Sequence, residues 1–245
     1  MTTTAVPDRG PVSVFSSMMG VGRLLSRCSV YMGTSLQHHP YIGEVTVTKV
    51  TTEGTQASTA KIPIATNKMT PVTFTVQAAV SEIDVELPGF RPALDEAIIK
   101  ALTNTVEQHI ASTVHSGAGA AVTLSAPGNF YAFLGSWIAK GDQVDTDDAL
   151  WIVGRAQASD FLADFPVQER GLDIHEGFGI PIWFGSGLGS GDGLICNPKD
   201  IHVVFYGEPK VIYNPYGNPL LHSATGIAHV GVELMGNTAQ KFGSS

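Results

Sequence analysis

The chain has 245 residues, 43% of them hydrophobic, enough to enclose a core in one large or two modest domains. Charged residues make up 15%, where an ordinary soluble domain carries about 25%, and mean hydropathy is +0.13; yet no apolar run approaches the ~20 residues of a membrane span. The formal net charge of -8 argues against a protein whose main task is gripping phosphate backbones, and Arg9, Arg23 and Arg27 are scattered along the sequence, not clustered.

Residues 1–40 mix Gly, Ser, Thr, Met and Pro, with one helical turn expected near 21–25. This reads as an arm, either disordered or laid on a neighbour, because termini are ordered only when tied down. From Tyr41 the pattern becomes a long hairpin over 41–67. Val45 and Val47 alternate with Thr46 and Thr48, a polar tip spans 51–59, and the chain returns through Ile62 and Ile64 with Pro63 marking an edge. A two-stranded ribbon is marginal alone in water, so it folds back on its own subunit or crosses to another.

A strand is expected over 70–87. Val72, Phe74, Val76, Ala78 and Val80 alternate strictly, and a bulge near Ser81 and Glu82 lets Ile83, Val85 and Leu87 continue the pattern. The sixteen residues from Val72 to Leu87 would run about 53 Å at ~3.3 Å per residue. A helix over 91–116 follows, with Leu94, Ile98, Leu102, Val106, Ile110 and Val114 as its core stripe and Ala97 and Ala101 widening it. Pro92 suits its first turn, Asp95 and Glu96 face the positive dipole end, His109 and His115 the negative end, and Gly117 is the expected left-handed stop. A four-residue repeat drifts about 40° per step against the period of 3.6, so the stripe winds and the rod should lie obliquely on what it covers.

Further on, helices are expected over 129–139 and 159–165. Strands are expected over 149–153, 180–184, 193–196, 201–206, 210–213 and 227–235, an alternation that fits a second, mixed α/β domain.

The segment from Gly185 to Gly193 is rich in glycine but fits no GxGxxG register, has no Gly-Lys-Ser/Thr and leads into a strand, so a turn between strands is expected. His38-His39 lacks metal-site spacing. Asp145, Asp147 and Asp148 resemble a fragment of a calcium loop but lack its sixth-position Gly and closing Glu, which leaves a solvated acidic loop. No GxSxG elbow is present, and no residue set points to catalysis or to a cofactor. Two cysteines, Cys28 and Cys196, supply no disulfide framework and fit a reducing compartment. With no signal-peptide pattern and no N-x-S/T site, the chain is expected to be made and used without secretion. Charge depletion of this degree favours obligate self-association, since charges are depleted in interface cores.

The order of arm, long hairpin, long strand into a rod helix, inserted α/β domain and final strand resembles the major capsid protein of tailed bacteriophages, the Hong Kong 97-like α+β fold shared with encapsulin shells. The segments that carry the likeness are Thr73-Phe74-Thr75-Val76 leading to the helix with Val106-Glu107-Gln108-His109, and Gly179-Ile180-Pro181-Ile182 followed by Gly193-Leu194-Ile195-Cys196-Asn197. The resemblance implies an arm over 1–40, an extended loop over 41–67, a peripheral domain over 68–119 with its spine helix, an axial domain over 120–223, and a C-terminal strand over 224–245 returning to the peripheral domain. It also implies that the hairpin crosses to a neighbour, so that Val45, Val47, Lys49, Glu53, Lys61, Ile62, Ile64 and Lys68 form the assembly interface. The expected function is a non-enzymatic virion shell subunit, assembled in the host cytoplasm into pentamers and hexamers around double-stranded DNA held weakly and without sequence specificity. Portal or decoration proteins are expected partners, membranes are not, and scaffolding is expected to be a separate protein or dispensable, because only about forty residues precede the hairpin. Lys49, Lys61 and Lys68 have no asparagine partner that the sequence identifies, so no isopeptide crosslink is predicted. The alternatives are an encapsulin-type compartment and an α/β enzyme using the loop over 185–193.

Overall fold

The computed structural model describes residues 13–33, 38–42, 64–81, 87, 89–119, 121–122, 130–139, 148–163, 176–177, 179–189, 191–215, 221–235 and 238–243. They form, in order, helix α1 (Val14–Val21), strands β1 (Ser29–Gly33), β2 (His38–Ile42), β3 (Ile64–Lys68) and β4 (Val72–Ser81), and the long helix α2 (Phe90–Gly117). Helix α3 (Phe130–Ile138), β5 (Leu150–Gly154), α4 (Ala158–Ala163), β6 (Glu176–Gly177), β7 (Ile180–Gly185) and β8 (Gly193–Cys196) follow. Strands β9 (Ile201–Tyr206), β10 (Lys210–Pro215), β11 (Leu221–Leu234) and β12 (Gln240–Phe242) complete them.

The first sheet is built on β11, whose 14 residues span about 46 Å. One edge of β11 pairs antiparallel with β4, from Leu221–Ser81 to Val230–Val72. Its other edge pairs with β10 and then β9, which run in the same direction as a single interrupted strand. Between the pairs Lys210–Ile227 and Phe205–Val230, three steps along β11 face five along β9 and β10, a two-residue bulge. Gly207, with φ of 86°, makes the left-handed step there that a β-carbon would resist. The parallel partner β1 closes the far side of β9.

The second sheet has the order β12-β8-β5-β7-β6, with only the β5–β7 pair parallel. Every residue of β5 is buried, because the strand is covered on both faces. Leu150 and Ile152 face a core shared with α2, while Trp151 and Val153 face an aromatic core with Phe130, Phe133 and Trp137 of α3. That aromatic core packs edge to face, as with Phe130 and Phe161 at 4.6 Å and Phe133 and Phe242 at 5.1 Å.

Helix α2 joins the two sheets. Ile98 packs with Ala224 and Val76 of the first sheet, while Leu102, Val106, Ile110 and Val114 belong to a larger core that also holds Leu194 and Cys196 of the second. These five aliphatic side chains are buried and Leu94 is half-buried; the five contribute gross stabilisation on the order of 10 kcal/mol as an upper bound. Gly226 lets the helix approach, since a β-carbon there would lie 2.6 Å from Ile98 Cγ2.

Several elements differ from the sequence expectation. The helix starts at Phe90, so no acidic residue lies in its first turn and Asp95 and Glu96 fall past the strongest part of the dipole. Gly117 is its last residue and no left-handed stop is used; Ala118 turns extended with φ of -65°. Ala97 is exposed and Ala101 half-buried, and the stripe widens further through Thr103, Glu107 and Ala111. Residues 13–33, expected in an arm, are folded into the subunit's own core: Met18, Leu24 and Leu25 are fully buried and Phe15 stacks edge-on against Phe205 at 5.2 Å. Strands β9 and β10, placed by sequence in the α/β domain, pair in the first sheet instead, because alternation marks a strand without naming its partner. Strand β12, in a segment expected to return to the peripheral domain, pairs with β8 of the second sheet. The bulge expected at Ser81 and Glu82 falls on the limit of the described residues.

Candidate functional site

Among the described residues strands β2 and β3 pair only with each other, from His38–Lys68 to Ile42–Ile64, and form a separate two-stranded ribbon. Of the residues expected at the assembly interface, Ile64 and Lys68 lie on β3. Val45, Val47, Lys49, Glu53, Lys61 and Ile62 lie outside the described residues. Described residues that precede and follow the ribbon in sequence bond at the β9–β10 bulge. On one side Gly207 N donates to Gly33 O at 2.8 Å, and on the other the Tyr206 hydroxyl donates to Met69 O at 3.2 Å. Met69 itself is buried with Val204 and Met235 on the outer face of the first sheet. The first sheet therefore holds the chain where it leaves the ribbon after β3.

A second constellation was invisible to hydrophobic patterning. Glu107, on the flank of the α2 stripe, is only 5% exposed. Its Oε1 accepts hydrogen bonds from Leu24 N at 2.6 Å and Leu25 N at 3.0 Å, and its Oε2 accepts one from Trp183 Nε1 at 3.3 Å. One carboxylate thus ties the turn after α1, the long helix and β7. A buried charge is tolerable when donors meet it in this way. The only advance signal is a Glu at a flanking position of an apolar stripe.

The glycine-rich segment serves packing beside this junction. A β-carbon on Gly185 would sit 1.8 Å from Trp183 Cη2, so the indole lies flat where that side chain would be. A β-carbon on Gly187 would sit 2.4 Å from Gln108 O, so the segment presses on the α2 backbone. It is not a simple hairpin turn, because β5 lies between β7 and β8 and the segment must cross it.

The two thiols sit in the same core. Burial, and secondarily the Glu107 charge, push Cys28 up to about 12. Burial likewise raises Cys196 well above the ordinary thiol value, so neither is a thiolate near neutrality. Asp148, from the expected acidic loop, pairs with Lys199. Among the described residues no group of three or more His, Cys, Asp or Glu side chains could hold a metal ion, and no helix is long and apolar enough to cross a membrane.

The sequence matches no protein-family model and no curated protein. The fold does match solved structures over nearly the whole chain. The capsid of an empty GTA particle aligns with TM-score 0.70 and 13% identity, covering 100% of this chain and 95% of the other. Mycobacterium phage Che8 aligns with TM-score 0.61 and 14% identity over 100% and 97%. A virus-like particle from Pyrococcus furiosus aligns with TM-score 0.67 and 8% identity over 94% and 95%. The chain has the Hong Kong 97-like α+β fold of phage major capsid proteins, as the order of its elements implied.

Proposed function

We propose that the chain is the major capsid protein of a tailed phage, a structural subunit without catalytic chemistry that builds an icosahedral shell around double-stranded DNA. The observation that carries this reading is agreement along the full chain with a capsid subunit, 100% of one against 95% of the other. The ribbon of β2 and β3 supports it, because a two-stranded ribbon is marginal alone in water and gains stability by lying on another copy. In this reading the first sheet with α2 is the peripheral domain and the second sheet with α3 is the axial domain. Axial domains meet at pentamer and hexamer centres, and the hairpin over 41–67 overlies the adjacent subunit. Small pairwise contacts then multiply over a closed surface. Portal, decoration and any scaffolding proteins are its partners, and the virion is its location after assembly in the host cytoplasm.

Electron microscopy of the expressed protein tests this directly: closed shells are expected. Deleting residues 51–59 should leave subunits with unchanged circular dichroism that no longer close into shells. Monomers under every assembly condition would overturn the reading. A cellular compartment of the same architecture also accounts for the fold, and the likeness to a virus-like particle gives that rival a footing. Lumen contents separate the two: nucleic acid for a virion, a cargo protein for a compartment.

A further inference from the structure

Two cavities, of about 480 and 420 Å³, lie beside the Glu107 junction and share Arg23 and Trp183 among their lining residues, so they adjoin along one grooved face. Arg27 lies at one end, Arg23 at the shared middle, and Lys100 and Arg155 at the other. Lys100 and Arg155 are exposed and hold no ion pair among the described residues. Among the described residues Glu107 is the one acid lining either cavity, and its carboxylate is already occupied by two backbone amides and an indole. In a chain with 22 acidic and 14 basic residues, Arg27, Lys100 and Arg155 beside a single saturated acid among the described lining residues are a local reversal of sign.

We infer that this groove is a contact for the phosphodiester backbone of the enclosed DNA. Cations strung along a groove match a linear polyanion better than they match one isolated carboxylate. Arginine and lysine are also the side chains that neutralise phosphates, and neutralisation requires no base reading. The overall charge of -8 keeps the rest of the surface repulsive, so binding is confined to one patch and stays weak. Only the identity of the polyanion rests on the shell reading; the anion-binding groove itself does not.

The test uses the full-length protein, a short duplex of random sequence and fluorescence anisotropy over a salt series. Wild type should bind with an affinity that falls steeply with salt. Lys100→Ala combined with Arg155→Ala should weaken binding and make the slope of log K against log salt shallower by about 0.9 for each cation removed. Both side chains are exposed, and circular dichroism checks that the fold is retained; Lys100→Gln alone serves as a milder variant with half the slope change. Unchanged slopes in folded variants would overturn the assignment. A peptide of residues 141–148 that displaces the duplex at lower concentration than unlabelled duplex would also overturn it, assigning the groove to an acidic segment of a second copy. Shell formation is scored separately by electron microscopy. Duplex binding without shells leaves the groove standing and sinks the capsid reading; shells whose variants bind like wild type do the reverse.

Discussion

Glu107→Ala removes the acceptor for three buried donors at once and leaves Leu24 N, Leu25 N and Trp183 Nε1 facing a small hole. Hydrogen bonds to a charged group contribute about 1.5–3 kcal/mol each, and a buried donor left unmade costs about 1–3. The neighbouring groove lets water reach part of the site, so the lower half of that range applies and the expected loss is about 3–5 kcal/mol. For a chain of this size that lowers Tm by roughly 6–20 °C. Urea unfolding of dissociated subunits, followed by circular dichroism and tryptophan emission, measures it. Glu107→Gln keeps one oxygen for the two amides but turns an NH₂ toward the indole N–H, so about 1–3 kcal/mol is lost. Adding Trp183→Phe to Glu107→Gln should then cost less than the sum of the single changes. Trypsin provides a local readout, since freeing the turn lets the backbone at Arg23 and Arg27 enter a protease site and be cut faster. A Glu107→Ala protein within about 0.5 kcal/mol of wild type would refute the claim that this carboxylate fastens the N-terminal segment.

Leu102→Asp places a charge at a fully buried position of α2 and should yield no soluble folded subunit, with loss of circular dichroism before any assembly defect can be scored. Gly187→Ala drives a β-carbon toward Gln108 O and should lower Tm by several degrees, whereas Gly20→Ala, with nothing within 4 Å, should raise stability by about 0.5–1 kcal/mol; equal effects would show that the Gly187 contact is not tight. The raised Cys28 value favours the neutral thiol in the folded state. Its contribution is therefore complete below the ordinary value of 9.0 and is lost as pH rises from there through about 12. Unfolding midpoints measured from pH 8 upward should fall less steeply in Cys28→Ala than in wild type, and a parallel decline would place the thiol outside this effect.

Periodicity by itself determined the strands at Gly193–Cys196 and Ile201–Tyr206, the long helix and the side of it that is buried. These elements are legible because burial on one face imposes a repeat of 3.6 or 2 on the residue types. The same logic misses β1 and most of α1, whose Ser, Gly and Met composition carries no period and which form because β9 and α2 receive them. It stops β11 short at 227, because Leu221–Gly226 is small and polar and becomes a strand through partners on both edges. Partner choice, the division of strands between the two sheets and the return of β12 to β8 were decided by tertiary structure. The bonding beside the ribbon was likewise unreadable, since it rests on a carbonyl at Gly33 and another at Met69. Charge shows the contrast most directly. Arg23, Arg27, Lys100 and Arg155 are spread over 133 positions, 23 to 155, and as a sequence they support no cluster. Folding α2 against the turn after α1 and against the second sheet sets all four along one grooved face, because electrostatics acts through distance in space and not along the chain.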